Sequence, residues 1–412
     1  MTARAAFLLG GLASLSVLTG CSSGDSGAVG ADPDKNAHRV TLTAAVPDGT
    51  PTVYLTGSLD ALGPWNPAAL PLQGTGRQRT ATVRVPHGAT FEYKFTLGSW
   101  DREGLGPSGT VMPNFRLVAR SDTAVTHEIV DFKKDVRDYI ADWRGSGVKG
   151  TLAYWTDVRS SFLSEPRHVE VWLPPGYEAN AARRYRVLYM HDGQNLFDPR
   201  IANTGTDWGV DEAMTEGAEA GRFEPAIVVG VWNSSRRLLE YSPWHEAPSY
   251  ARFLIEELMP RVDAEFRTLT GPENTFVMGS SMGGLLSYFL VKERPDRFSA
   301  CGCVSTHFPL SAEAVASVTG AGGGSAKPYI LRDIEAGATV PQGVRFSFDY
   351  GTEGLDAAYG PTHDAVRSWL LSEGLIEGRD FVVRRYQGAT HNEASWRARL
   401  VDQLTWMLAP RR

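Results

Sequence analysis

Near Lys149 the hydrophobic rhythm of the chain changes, and no other feature limits its possible folds as much. Before that point RVTLTAAV, TVYLTGSL, RTATVRV and ATFEYKFTL alternate apolar and polar residues between Gly- and Pro-containing turns. A period of two places every second side chain on one face, which suits a half-buried strand and does not suit a helix. Beyond it, the apolar runs VEVWL, RVLYM, AIVVGVW, TFVM, ACGCVS, RFSFDY and DFVVRRY are interleaved with helical patterns such as SYARFLIEELMPRVDAEF, AVRSWLLSEGL and EASWRARLVDQLTWML. Runs that are apolar on both faces need cover on both faces, and the intervening helices supply it. The expected class is α/β, with a mainly parallel sheet over 149–412 and a small all-β, immunoglobulin-like sandwich over 38–131. The segment 132–148, nearly all of it within the charged stretch DFKKDVRDYIADWRGSG, is read as a linker or short helix.

A length of 412 residues leaves room for two or three ordinary domains. The net charge is -6 and no Lys/Arg cluster of the phosphate-tracking kind is present, so nucleic acid is not an expected partner. At the start, Arg4 precedes AAFLLGGLASLSVLTG, an apolar run too short for a comfortable membrane span and typical of an export signal over 1–20. The run closes on Leu18-Thr19-Gly20-Cys21, which resembles the lipobox of bacterial lipoproteins. That likeness implies lipidation of Cys21 and an exported protein held at the periplasmic or cell surface by its anchor, with 21–37 as a flexible tether. Cys301 and Cys303 stand two apart in an apolar run, so they share one face of a strand and are expected as buried thiols. Too few ligands accompany them for a metal. GAGGGSAK, 320–327, lacks phosphate-loop spacing and is read as a loop.

Chemistry is concentrated around TFVMGSSMGG. Gly279-Ser280-Ser281-Met282-Gly283 fits GxSxG, in which a strand turns sharply into a helix and presents the central serine. TFVM is the strand and LLSYFLVKERP the helix, so Ser281 stands on the corner and Ser280 is a small neighbour. The helix N-terminus aims free N–H groups at the serine, and that of Met282 can donate to an oxyanion. A serine hydroxyl needs a base and an acid to orient the base, in the chain order serine, acid, histidine. Of the three later histidines, His391 lies after the last expected strand and before the final helix, and is assigned as base. His307 follows a strand end and is expected to line the same mouth, and His363 sits at a helix start. The loop GTEGLDAAYGP offers two acids, Glu353 and Asp356.

From about residue 150 to 408, LPPGY, YMHDGQNLFD, VVGVWNSSRRLLEYSP, GSSMGG, GTEGLDAAY and GATHNEASW together resemble the bacterial putative-esterase family, which includes enterochelin esterases, some feruloyl and acetylxylan esterases, and mycolyltransferases. The resemblance implies an α/β-hydrolase fold and a serine esterase that needs no cofactor or metal. It favours Asp356 as the acid, with Glu353 the alternative, and gives the N–H of Gln194 as the second oxyanion donor. Asn233, Arg237, Glu240 and Tyr241 belong either to substrate contacts or to a salt-bridged structural loop. His307, Asn233 and Glu353 are the expected substrate contacts. In the first region VYLTGSLDALGPWNP, PHGATFEYKFTLGSWDREG and MPNFRL resemble starch-binding carbohydrate modules. That likeness implies a sugar platform at Trp65 and Trp100, with polar contacts from Lys94 and Asn114. The expected partner is an ester substrate, on a glycan or a siderophore lactone. An acyltransferase of the same fold and a surface glycan-binding protein with an idle hydrolase scaffold are the rival readings.

Overall fold

The structure is a computed structural model and describes residues 36–321 and 324–409. The export signal, Cys21 and nearly all of the tether lie outside the described residues. The chain divides into two compact units between Ala141 and Asp142.

The first unit is a sandwich of two small sheets together with a two-stranded ribbon, Gly104–Leu105 paired with Asp131–Phe132. Strand Ala37–Ala45 pairs antiparallel with Gln78–Pro86 over its full length and parallel with Thr123–Glu128. The facing sheet runs Leu70–Pro71, Tyr54–Gly57, Thr90–Thr96, Phe115–Val118 in spatial order. Alternation decides what is inside: Val40, Leu42 and Ala44 of one sheet meet Leu55, Phe91, Tyr93 and Phe95 of the other in a single core. The bridging stretch forms a short helix, Val136–Ala141, and a 3-10 turn, Trp143–Ser146.

The second unit is built on eight strands, here β1 (Thr151–Val158), β2 (Arg167–Leu173), β3 (Arg186–His191), β4 (Ala226–Val231), β5 (Thr275–Ser280), β6 (Ala300–Val304), β7 (Arg345–Gly351) and β8 (Phe381–Tyr386). Their spatial order is β1-β2-β4-β3-β5-β6-β7-β8. The first two pairings are antiparallel and the rest parallel. This is the order of an α/β-hydrolase sheet. Along β5, Phe276 and Met278 enter one core with Trp208, Trp396 and Leu400, while Val277 enters the other with Phe253, Leu285 and Leu286. A strand buried on both faces must be apolar at every position, which is why TFVM reads as an unbroken run. Cys301 and Cys303 are free, buried thiols on one face with sulfurs 3.0 Å apart. SYARFLIEELMPRVDAEF is helical from Ala247 to Glu265, with a π-helical segment, Phe253–Leu258, just before Met259-Pro260. Pro260 has no N–H to donate, and a local change in hydrogen-bond register is one way a helix accommodates that. Because β3 is inserted between β4 and β5, the strand order reverses beside β5, and in open α/β sheets the carboxyl ends of the strands at such a point are where ligands bind.

Candidate active site

Ser281 stands on the corner between β5 and the helix Met282–Glu293, with φ 56° and ψ −121°. Few non-glycine residues tolerate such a backbone, and here the surroundings hold it. The Ser281 N–H donates to the carbonyl of Val304 (2.9 Å), and its own carbonyl accepts from the N–H groups of Leu285 and His307 (both 3.1 Å). Gly279 is required by space: a Cβ there would lie 2.7 Å from the Gly283 backbone. Gly283 is less confined, since its Cβ would make only a 3.4 Å contact with His191. The helix starts at Met282, two residues before the glycine pair ends, so the serine is its N-cap. Ser280 is the last residue of β5 and continues the row of Phe276 and Met278.

The loops after β7 and β8 bring an acid to a base. His391 Nδ1 is 2.6 Å from Asp356 Oδ1, and the aspartate side chain is fully buried. Burial by itself raises a carboxyl pKa. The hydrogen bonds and charge of His391, the Ser305 hydroxyl and the Gly351 N–H outweigh it and hold Asp356 below the usual carboxylate range. Its other oxygen accepts from Ser305 Oγ (2.5 Å) and Gly351 N (2.7 Å). Ser305 in turn accepts from Trp396 Nε1 (2.9 Å) and Arg399 Nη2 (2.7 Å). Glu353, the rival acid, is exposed and makes no bond to His391; only its N–H is engaged, with the Ala389 carbonyl. Ser281 Oγ is buried without a hydrogen-bond partner among the described residues. Both Ser281 and His391 adjoin Tyr359 and His307.

Met282 and Gln194 present backbone N–H groups that no acceptor among the described residues takes. Gln194 sits in the 3-10 turn Gly193–Asn195 after Asp192, whose φ is 58°. A buried clamp fixes this turn. Asp192 accepts from Arg237 Nε and Nη2 (both 2.7 Å) and from Asn233 Nδ2 (2.7 Å), and its N–H donates to the Tyr241 hydroxyl (3.2 Å). Burial raises the Asp192 pKa, the Arg237 guanidinium lowers it more, and the net shift is downward. Glu240 is buried in a two-bond pair with Arg167 (2.9 Å each). Asn233, expected at the substrate, braces the turn that carries Gln194, and the 233–241 segment holds two buried ion pairs, Arg237–Asp192 and Glu240–Arg167. Breaking the clamp leaves a buried guanidinium without its carboxylate, so Asp192→Ala is expected to cost about 3–5 kcal/mol in chemical denaturation.

His307 is buried with its ring 6.4 Å from that of His391, while His363 is fully buried on the helix Gly360–Ser372 with Nδ1 on the Tyr359 carbonyl. Three residues with structural weight in the site, Ser305, Tyr359 and Arg399, carried no motif of their own. Their one signal was position, at the end of ACGCVS, in GLDAAY and on the final helix. Among the described residues, Asp207, Asp211 and Glu212 cluster closely enough to hold a metal ion. Arg397 already bonds Asp207 (2.7 Å) and Glu212 (2.9 Å), so a guanidinium takes the place of a cation.

In the first unit Trp65 and Trp100 lie side by side, half-buried, with ring centroids 6.3 Å apart and planes inclined by 41°. Lys94 does not fit a sugar contact. Its ammonium is bonded to Glu103 and to the Met112 carbonyl (2.8 Å) and its side chain is mostly buried, because a cation among apolar strands must be paired. Asn114 is exposed and donates to Glu92 (2.9 Å).

The family model "Putative esterase" matches residues 160–407, and the model "Starch binding domain" matches 39–105. Among curated proteins, the chain is 24% identical over 152 residues to "Uncharacterized protein YbbA" of Bacillus subtilis (strain 168), covering 34% of this chain and 56% of that protein. It is 29% identical over 168 residues to "Endo-1,4-beta-xylanase/feruloyl esterase" of Xylanibacter ruminicola, covering 38% of this chain and 22% of that protein. The chain thus spans little more than half the length of the first relative and about a fifth of the second. A solved structure of a ferulic acid esterase is 19% identical with a TM-score of 0.49, covering 63% of this chain and 98% of that chain. With the strand order, the serine corner and the motif run on one chain, and a family match over residues 160–407, this protein belongs to the putative esterase family.

Proposed function

We propose that the second unit is a serine carboxylic-ester hydrolase acting through an acyl-enzyme. The observation that carries the reading is the 2.6 Å bond between His391 and Asp356 at the same sheet edge as the strained Ser281, whose hydroxyl has no competing partner. Ser281 Oγ attacks the ester carbonyl and its proton passes to His391 Nε2. The Nδ1–H donates to Asp356, whose buried carboxylate stabilises the imidazolium. The N–H groups of Gln194 and Met282 bond the oxygen as it becomes negative. His391 then returns the proton to the departing alcohol, and water repeats the cycle on the acyl-enzyme. A fluorophosphonate probe followed by peptide mass spectrometry tests this: one adduct, on Ser281, is expected, and a label elsewhere or none contradicts it.

The substrate class proposed is an acyl ester carried on a polysaccharide. Support comes from a starch-binding-domain match on the same chain as the esterase match, and from a relative whose name joins a xylanase to a feruloyl esterase. The neighbouring, half-buried rings of Trp65 and Trp100 offer apolar faces to sugar C–H groups. Pull-down of the full chain on insoluble starch is expected to fall about tenfold or more for Trp65→Ala and for Trp100→Ala, the size typical of aromatic hot spots, with melting temperature nearly unchanged. Strong destabilisation without lost retention would make the rings core anchors. Export and anchoring through Cys21 belong to the same proposal, supported by the sequence of the first 21 residues, and incorporation of labelled palmitate that Cys21→Ala abolishes is the check.

A further inference from the structure

Beside the triad lies a second imidazole that this mechanism does not use. The backbone N–H of His307 holds the Ser281 carbonyl, and its ring centroid is 6.4 Å from that of His391. Its Nδ1 is hydrogen-bonded to the hydroxyl of Tyr359, a residue 1% exposed whose ring lies 5.7 Å from His391. Burial, with His391 and Arg237 adding to it, pushes the His307 pKa down to about 3, so the ring is neutral at ordinary pH. A neutral imidazole has one N–H. The phenol is the stronger acid of the two and the imidazole nitrogen the stronger base, so the Tyr359 proton lies toward His307 Nδ1 and the imidazole proton is on Nε2. The Nε2 atoms of His191 and His363 are enclosed without partners, but that of His307 is not, and the residue keeps 7% exposure. A fixed donor thus stands at the opening of the site.

Its side of the ester follows from the mechanism. The leaving oxygen is protonated by His391, so the alcohol lies against that ring, and the ring of His307, a residue 7% exposed, stands 6.4 Å from it. Two imidazole donors at this separation can each take one oxygen of a pair on adjacent carbons. We propose that His307 is a substrate-binding residue that selects monoesters of vicinal diols, as found in sugars and glycerol, by donating Nε2–H to the hydroxyl beside the ester oxygen, and that Tyr359 is the positioning residue that fixes its tautomer. This rests on the serine-esterase reading above.

The test uses the full chain and two acetates of equal length, 2-hydroxyethyl acetate and propyl acetate, which differ in a terminal hydroxyl or methyl. The ratio of their kcat/KM values is expected to favour the hydroxyl ester about tenfold in the wild type, the worth of one good hydrogen bond. His307→Leu brings the ratio near one, His307→Gln, which keeps an N–H donor, restores part of it, and Tyr359→Phe lowers it without loss of ring packing. Thermal melts confirm that each variant is folded. A wild-type ratio near one, or a full ratio in His307→Leu, overturns the proposal while Ser281 labelling remains intact. No turnover of either ester together with no label on Ser281 overturns the serine-esterase reading and this inference with it.

Discussion

Ser281→Ala is expected to lower kcat for p-nitrophenyl butyrate about a millionfold, the scale of nucleophile removal in serine hydrolases, with an unchanged melting temperature. The substitution takes away one oxygen that has no hydrogen-bond partner, so no contact of the folded state is lost. Ser280→Ala serves as the control and is expected to retain activity within a few-fold. Ser280 belongs to the strand row of Phe276 and Met278, whereas the corner turns Ser281 out of that row. Initial rates with matched active-site titration separate the two variants. Full activity in Ser281→Ala would remove the assignment.

Asp356→Asn is expected to lower kcat about ten-thousandfold, because an amide at Nδ1 stabilises the wrong imidazole tautomer and leaves the imidazolium without its counter-charge. Glu353→Gln should stay within a few-fold of wild type, since that side chain is exposed and does not touch His391. The reverse ranking would transfer the acid to Glu353. A stability measurement adds a second readout. The folded pKa of Asp356 is depressed, so the group contributes stability above its unfolded value, about 3.9, and that stability is lost as pH falls through the folded pKa. Asp356→Asn is therefore expected to flatten this part of the acid limb, as urea melts at several pH values would show.

The two substitutions draw on different kinds of information. Ser281 is legible from a window of ten residues, because a strand, a crowded corner and a helix are local facts. The choice between Asp356 and Glu353 is not. Both lie in one loop after one strand, and the favoured acid is the one whose side chain, turned inward by the 3-10 turn Gly354–Ala358, meets a histidine 35 residues later. Ser305 shows the same limit more strongly. It looks like the end of an apolar run, yet it receives hydrogen bonds from Trp396 and Arg399 and passes one to Asp356, across separations of 91, 94 and 51 residues.

By itself, then, the sequence determined the all-β and α/β layering and the strand-to-helix corner at Ser281, because period and steric crowding act over a few residues at a time. The tertiary structure decided which carboxylate faces His391, that Asn233 and Arg237 brace the Gln194 turn through Asp192, that Lys94 is committed to Glu103, and that Tyr359 is bonded to His307. Each of those outcomes depends on a buried polar group finding its partner. Burial makes an unpaired charge or donor costly, but the partner it finds is set by how distant loops converge at one edge of the sheet, which no local pattern of residues encodes.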